Sequence, residues 1–440
     1  MQNNENLISG NINKIYYKYL INSILGVLAI SFAIFIDTMF IGRGIGSEGL
    51  SALNIAIPIF NLLNGLGLLF GMGGATALSI SRGRDNNEEA NEIFTQTIII
   101  MLSLGILISI IGVINVEKIA YILGASKNNL DFVTQYLKGV LFVAFSYISV
   151  HGLASFVRND SNPGLVMIAT ISGGIVNIVL DYLFIFEYKM GMLGASMATS
   201  IASLVNLTII STHFITKKCK LKLRFSNINI KFILRVLGNG APSFIIELSS
   251  GIVIIVFNIA ILNMIGEIGV SAYSIVANVA LIVMATYTGI AQAMQPIISV
   301  NYGAMQNDRI KSVIKRSIII AVVIGLSVYT VGVLYPNKIV SIFTTDSGEI
   351  VNITINAIKY YFISFVLMGY NIIMGAYYQA IEKRIVSNLI SIGRGILFLM
   401  IGIIILPNIF GINGIWLSVL FSELITYVFI LIYKKKTLLK

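Results

Sequence analysis

Four carboxylates interrupt apolar stretches that are long enough to cross a bilayer: Asp37, Asp181, Glu247 and Glu423. An aspartate at the centre of a spanning helix costs about 2.5–3.5 kcal/mol, so it needs a partner, a water-filled cavity or a proton. Asp37 lies towards the end of the first run, which reads INSILGVLAISFAIFIDTMFI at 21–41. We interpret Asp37 as the centre of an ion-coupling site.

Two further polar side chains accompany Asp181. Asn177 lies four residues earlier, in GGIVNIVLDYLFIF, and so shares its helix face. Thr199, in GASMATSIASL, would add a hydroxyl from the next helix. These oxygens suit a hard cation or a proton relay. The alternatives are ordinary interhelical hydrogen bonds for Asn177 and Thr199, and permanently protonated packing residues for the aspartates.

Other polar residues allow weaker assignments. Glu247 either faces a central cavity, as a counter-charge for a cationic substrate, or lies near the membrane surface, and both interpretations stay open. An adaptable substrate pocket would be lined by Met284, Gln292, Met294, Gln295, Tyr370 and Asn371, although methionine is also a common filler of apolar helices. Arg394 and Glu423 lie at similar depths, which favours a structural ion pair. His151 is interpreted as a hydrogen-bonded helix residue, and His213 as solvated at a helix end.

The amino-acid composition indicates that these residues belong to an integral membrane protein. Of the 440 residues, 57% are hydrophobic and 11% are charged, whereas soluble domains have about 25% charged residues. Twelve apolar runs predict spanning helices at 17–42, 50–80, 92–115, 130–157, 163–186, 191–216, 231–264, 268–300, 310–334, 350–380, 385–406 and 412–433. The net charge of +11 is concentrated in every second gap between them. We therefore expect a multi-pass protein of the cytoplasmic membrane, and the positive-inside rule places both of its termini in the cytoplasm.

An internal repeat divides the chain. IGSEGLSA at 45–52 and IGEIGVSA at 265–272 are 220 residues apart, and the same offset pairs Gly83 with Gly303 and Gly191 with Gly411. We therefore predict two six-helix lobes, 1–220 and 221–440, joined by a basic linker at 217–230, with a substrate path between them. At this offset, the positions equivalent to Asp37 and Asp181 hold Phe257 and Ile401, so the predicted ion-coupling residues occur in the first half only.

Several classes of function are not indicated. The chain has no recognisable nucleophile motif, zinc pattern or Walker loop, so we predict neither an enzyme nor a cofactor. The basic runs are explained by topology, and no nucleic-acid partner is expected. The expected partners are small molecules, cationic in character, and the lipid bilayer, and the expected oligomeric state is a monomer.

The sequence resembles the multidrug and toxic compound extrusion (MATE) family, in its MepA-type bacterial branch. The likeness rests on IDTMFIGRGIGSEGLSALNIAIP, VRNDSNPGLVMIATISGGIVNIVLDYLFIF and GMLGASMATSIA in the first half, and on IGEIGVSAYSIVANVALIVMA and QAMQPIISVNYGA in the second. The resemblance implies an all-α membrane protein whose two six-helix bundles, related by a pseudo-twofold axis, enclose a V-shaped cavity. It also implies export of bulky, often cationic drugs in exchange for H⁺ or Na⁺.

Carried over by position, the family's first-lobe cation site falls on Asp37, Asn177, Asp181 and Thr199. Some relatives bend their first helix at a proline, whereas here Gly26 is the only weak point. A second-lobe sodium site would need acids, and the tenth helix offers the amide of Asn371. One alternative is a flippase for lipid-linked precursors, which would need cavity arginines to bind phosphate; another is a channel or membrane scaffold.

Overall fold

The computed structural model describes residues 7–216, 219–343 and 348–438. Its helices are α1 (Ile12–Gly44), α2 (Ser47–Gly83), α3 (Asn87–Ile114), α4 (Val116–Ile122), α5 (Leu130–Phe142), α6 (Ala144–Asn159), α7 (Pro163–Asp181), α8 (Gly191–Ser211), α9 (Ile230–Gly303), α10 (Asn307–Leu334), α11 (Pro336–Phe343), α12 (Glu349–Tyr361), α13 (Ser364–Ala380), α14 (Arg384–Ile392), α15 (Phe398–Phe410) and α16 (Ile412–Leu438). A π-helical segment, Tyr182–Glu187, extends α7, and another, Gly393–Leu397, joins α14 to α15.

Within the described residues, these helices are long and apolar enough for twelve membrane crossings. Nine helical spans are long and apolar enough to cross, and two bent pairs add one crossing each: α5 with α6, bent by 51°, and α12 with α13, bent by 45°. The 74-residue α9 supplies two crossings, because its backbone breaks at Gly266, where φ is 73°. The predicted fold class is confirmed.

Backbone breaks recur at the repeat offset. Gly46, which separates α1 from α2, has φ 95° and ψ −162°, and its equivalent Gly266 has φ 73° and ψ −163°. This left-handed region is open to glycine and strained for other residues. Gly191 and Gly411 are likewise paired, with φ 58° and 59°. The two halves therefore fold by the same local rules.

The buried apolar residues form two main cores. One draws its members from residues 41–236, and the other combines residues 257–430 with the start of the chain at 7–20. Helix α1 contributes to both: Tyr16 and Tyr19 lie in the second core, whereas Ile41 lies in the first. The predicted boundary at residue 220 remains a prediction, and residues 217 and 218 of the predicted linker lie outside the described residues.

Glycines close the bundle at the end where α2 stops and α9 begins, which we name the basic face. A Cβ on Gly83 would overlap the carbonyl oxygen of Val300, and a Cβ on Gly303 would overlap that of Ile80. These contacts are reciprocal at the repeat offset, so the two lobes cross on their pseudo-twofold axis.

Polar contacts reinforce this closure. The side-chain amide of Gln295 donates to Thr76 Oγ1 (3.0 Å), and its oxygen accepts from Asn159 Nδ2 (2.9 Å). Arg235 bridges Glu89 and Glu382, at 2.6 Å from each. Because Gln295 and Arg235 belong to α9 and their partners Thr76, Asn159 and Glu89 to the first half of the chain, these bonds hold the lobes together.

The lobes diverge towards the opposite end. Their contact continues as far as Asn61 of α2, whose amide nitrogen lies 2.9 Å from a Cβ position on Gly251. One turn further on, Ile57 on α2 and Ile254 and Ile255 on α9 are exposed. The contacts described here therefore join the lobes at the basic face and end about halfway along α2, and we name the space between the lobes beyond this point the crevice.

Replacing Gly83 with alanine should destabilise the protein, because the added methyl would overlap a backbone oxygen. We expect a cost of about 1–3 kcal/mol, measured as a lower thermal unfolding midpoint of the detergent-purified protein. Gly164→Ala is the matched control, since its nearest neighbour would be Asn22 Oδ1 at 3.7 Å. Equal midpoints for the two variants would contradict the proposed close crossing.

Candidate ion-coupling site

Close helix packing brings the predicted site residues together. A Cβ on Gly174 of α7 would lie 3.3 Å from the Cβ of Ala33 on α1, and a Cβ on Gly173 would lie 3.2 Å from Ala202 O on α8. Small residues let membrane helices approach in this way. Asp37 lies one turn beyond Ala33, and Asp181 two turns beyond Gly174, so both carboxylates project from the same seam.

The carboxyl groups of Asp37 and Asp181 are neighbours and interact directly. Both residues are buried, Asp37 with 7% of its surface exposed and Asp181 with none. Asp37 Oδ1 and both carboxyl oxygens of Asp181 lack a hydrogen-bond partner of acceptable geometry within the described part of the chain. Buried polar atoms are rarely left unpaired in native structures, so these three oxygens indicate a site for something else.

Neutral polar groups surround the pair. Asn177 donates to Thr199 Oγ1 (3.5 Å), whose hydroxyl donates to Ala195 O (2.9 Å). Tyr147 donates to the backbone oxygen of Thr199 (3.3 Å). The structure therefore places all four predicted ion-coupling residues in one cluster.

Two tyrosines of this cluster were not anticipated from the sequence. Tyr136 and Tyr147 lie close enough to Asp37 and Asp181 to feel a charge on either carboxyl group, and they come from α5 and α6, on either side of the 51° bend. Both are among 20 tyrosines, and no local motif marks them. Only the three-dimensional packing of the bent pair against α8 identifies them.

Two adjacent buried carboxylates cannot both be ionised at low cost. Burial favours the neutral form of each, and the charge of one disfavours the ionisation of the other. Within the described residues, the groups named around the pair are neutral, and none is a lysine or arginine. The arrangement therefore suits a bound H⁺ or a small cation shared between Asp37 and Asp181.

In the second lobe, the buried carboxylate of Glu423 is paired with an arginine of the same lobe. Arg394 bonds Glu423 at 2.8 Å, with 7% and 3% of the two side chains exposed. Asn371 donates to the other carboxyl oxygen of Glu423 (2.7 Å) and to its backbone oxygen (2.8 Å). The ion pair expected from the sequence is present. Asn371 is fully buried, and its amide nitrogen is used by these two bonds to Glu423.

The other predicted pocket residues lie in or near the second core and at the basic face. Met294 and Gln295 are buried, because Met294 packs in the second core and Gln295 closes the basic face. Tyr370 packs edge-on against Tyr427. The remaining two, Met284 and Gln292, are partly buried. The substrate pocket therefore remains a prediction.

Glu247 lies where the crevice narrows. It is partly buried on α9, its Cβ is 3.6 Å from a Cβ position on Gly65, and it interacts with Asn64 of α2. It therefore lies between the lobes, where the interhelical contact begins to open.

His213 corrects one sequence-based expectation. Predicted to be solvated, it is fully buried, with Nε2 2.8 Å from Asp160 Oδ2 and Nδ1 3.2 Å from the Asn162 amide. The prediction was wrong because the segment after α8 folds back over this helix end. Proximity of His213 to a basic segment gave no sign of that return.

Twelve apolar spans in two repeated lobes, together with a buried carboxyl pair in the first lobe whose oxygens lack hydrogen-bond partners in the described part of the chain, are the arrangement of a membrane transport protein rather than an enzyme. The family model MatE matches residues 23–183 and 241–405, one match in each half. The chain belongs to the MatE family, and its MepA-type character is confirmed.

Relatives of the chain include proteins named multidrug export protein MepA. That of Staphylococcus saprophyticus is 26% identical over 395 residues, covering 89% of this chain and 86% of the relative. That of Staphylococcus aureus is 25% identical over 409 residues, covering 92% and 87%.

Solved structures agree with the fold. A structure described as the outward-facing conformation of a multidrug resistance MATE family transporter of the MOP superfamily gives a TM-score of 0.92 at 21% identity, covering 99% of this chain and 98% of the other. A MOP superfamily transporter from Pyrococcus furiosus gives 0.91 at 21% identity, with the same coverage.

Removing one partner of the Arg394–Glu423 pair should destabilise the second lobe. Arg394→Met leaves a buried carboxylate without compensation, at a cost of about 3–5 kcal/mol. The double variant Arg394→Met/Glu423→Gln should recover most of this loss, because a neutral glutamine can still accept from Asn371. The midpoint of thermal unfolding in detergent measures both.

Lys311→Met is the control, because its bond to Asp308 is highly exposed, with 78% and 99% of the two side chains accessible. A midpoint for Arg394→Met close to that of Lys311→Met would show that the buried pair is not structural.

Proposed function

We propose that the protein is a multidrug exporter driven by exchange with H⁺ or Na⁺, and that Asp37 and Asp181 hold the coupling ion. The observation that carries the proposal is the pair of adjacent buried carboxyl groups with oxygens that no described residue satisfies. The names of the MepA relatives support drug export. We further propose that the basic face lies in the cytoplasm, as the positive-inside rule predicts.

Helix α1 is suited to couple the ion to the crevice. Its first turns are bound to the second lobe, where Tyr16 shares a hydrogen bond with Ser317 (2.8 Å), and its later turns pack on α7 at Ala33. Asp37 lies on those later turns. Neutralising Asp37 removes the cost of burying its charge and lets α1 pack more closely on α7, while the other end of α1 transmits the shift to the second lobe.

The exchange follows from linkage. If a bound ion favours one packing of α1 and a drug in the crevice favours the other, each weakens the binding of its counterpart by the same factor. A protein of this kind would take up H⁺ or Na⁺ from the open side, release the drug there and return the ion to the cytoplasm. Glu247, at the narrow end of the crevice, is placed to attract a cationic drug.

A flippase for phosphate-bearing lipids is less well supported. It would need unpaired arginines in the cavity to bind phosphate. Arg394 is neutralised by Glu423 inside the second lobe, so it does not provide that charge.

Asp37→Asn should abolish ion-driven efflux while leaving the amount of folded protein unchanged, because asparagine fills the same volume but cannot exchange a proton or balance a cation. The measurement is export of a fluorescent organic cation, such as ethidium, from reconstituted vesicles in which pH and sodium gradients are imposed separately. The gradient that drives wild-type export identifies the coupling ion.

Asp131→Asn, at an exposed position in the first turn of α5, is the matched control and should transport normally. Gradient-driven export by Asp37→Asn at the rate of this control would refute the coupling role.

A further inference from the structure

The segment that joins the two halves of the chain lies along the first lobe. Residues 219–229, named here the strap, have no regular secondary structure between α8 and α9. Most of their side chains are exposed. Their backbone is nevertheless bonded repeatedly to side chains of α3 and to the turn between α6 and α7, so the strap is held in place.

Asp160, in that turn, anchors the beginning of the strap. Its fully buried carboxylate accepts from Arg82 Nη1 (2.7 Å), from His213 Nε2 (2.8 Å) and from the backbone N–H of Lys220 (2.8 Å). Burial by itself would raise the pKa of Asp160, yet the contacts with His213, Arg82 and Lys220 outweigh it and lower that pKa. The anchor therefore stays charged well below neutral pH and is not a pH switch in that range.

Every second backbone N–H group at the beginning of the strap donates a hydrogen bond to a side chain of the first lobe. After Lys220 on Asp160, Lys222 donates to Asn91 Oδ1 (3.1 Å) and Arg224 donates to Thr95 Oγ1 (2.8 Å). Asn91 and Thr95 are four residues apart on α3 and so lie on one helix face. This face presents acceptors at the spacing that the extended strap requires.

Gln96 fixes the end of the strap. Its amide nitrogen donates to Ser226 Oγ (3.1 Å) and to Asn227 O (3.0 Å), and its oxygen accepts from the backbone N–H of Asn229 (3.1 Å). Asn229 caps the start of α9 through Lys231 N (3.0 Å). The first residue of the second lobe's opening helix is therefore positioned by a side chain of the first lobe.

Apolar contacts lie beneath these bonds. Leu221 is 8% exposed and Cys219 is partly buried, and both pack on a cluster that contains Phe94, Phe156 and Phe214. Cys219 is the only cysteine of the chain, so its thiol reports specifically on this contact.

A metal site is the alternative explanation for part of this cluster, because ligand atoms of Asp160, His213 and Cys219 lie within 4.8 Å of one another. The carboxylate already accepts from a guanidinium and two N–H groups, and a metal ion would have to displace the Arg82 charge. The thiol, with its pKa raised by burial, donates to Leu221 O (3.4 Å). Three satisfied groups beside an arginine do not favour a cation.

We propose that the strap is a docked part of the first lobe, anchored by Asp160, and not a free tether between the lobes. The part of the chain that is free to move between the lobes then begins only after Asn229, the N-cap of α9. A fixed start for α9 also places Arg235, less than two turns later, between Glu89 of the first half and Glu382 of the second. The strap thus positions the residue that closes the basic face.

Alkylation of Cys219 tests this proposal. Purified protein in detergent is treated with N-ethylmaleimide, and the rate is compared with that of the urea-denatured chain. Reaction requires the strap to lift, so we expect strong protection in the wild type. Asp160→Asn should accelerate labelling about tenfold or more, because it removes bonds to a charged group, and Asn91→Ala by about two- to tenfold.

Two comparisons separate docking from other effects. Removing the Asp160 charge also lowers the pKa of the thiol, since Asp160 contributes to raising it, whereas Asn91→Ala changes no charge. Glu88→Gln is the matched control, because it breaks only the exposed pair between Glu88 and Arg224 of the strap, and it should label at the wild-type rate. Wild-type labelling as fast as in the denatured chain, or Asn91→Ala labelling no faster than Glu88→Gln, would overturn the proposal.

Discussion

The structure depends on the cost of keeping two carboxyl groups side by side in an apolar interior. Two other buried carboxylates have a fixed charged partner within the protein: Glu423 has Arg394, and Asp160 has Arg82. Asp37 and Asp181 have only each other and neutral groups. A permanent counter-charge would make their site stable and inert, whereas a site without one suits the exchangeable ion that we propose, whose binding would favour one packing over another.

Helix α1 connects the carboxyl pair of the first lobe with the second lobe. Helix α1 is anchored in the second core by Tyr16 and packs on α7 near Asp37, so it contacts both lobes. The basic face is held by Gly83 against Gly303 and by the bonds of Gln295 and Arg235. None of these contacts at the basic face involves Asp37 or Asp181. The proposed ion site and the closed basic face are therefore separate parts of the structure, joined by the helices.

Much of the fold could be predicted because it follows from local patterns. Long apolar runs fix the crossings, and the 220-residue offset places Gly46 and Gly266 at equivalent breaks, where the left-handed backbone selects glycine. The clustering of Asp37 with Asn177, Asp181 and Thr199 was likewise predicted, since the cost of a buried carboxylate is visible in the sequence. The ion-coupling role itself remains a proposal.

What the sequence did not indicate depends on tertiary contacts. The bends near residues 143 and 363 also obey the repeat, yet no proline or glycine marks them. Tyr136 and Tyr147 reach the site only because of the first of these bends. His213 is buried because the strap returns over it. The short helices α4 and α11 lie in gaps too brief to show a helical period.

The most direct test is to measure ion release on drug binding. Ethidium is added to the detergent-purified protein in weakly buffered solution, and released H⁺ is followed with a pH indicator and released Na⁺ with an ion-selective electrode. If the carboxyl pair holds the coupling ion, drug binding expels one of these ions from the wild type, and Asp37→Asn abolishes the release. Equal ion release by the wild type and Asp37→Asn would contradict the mechanism.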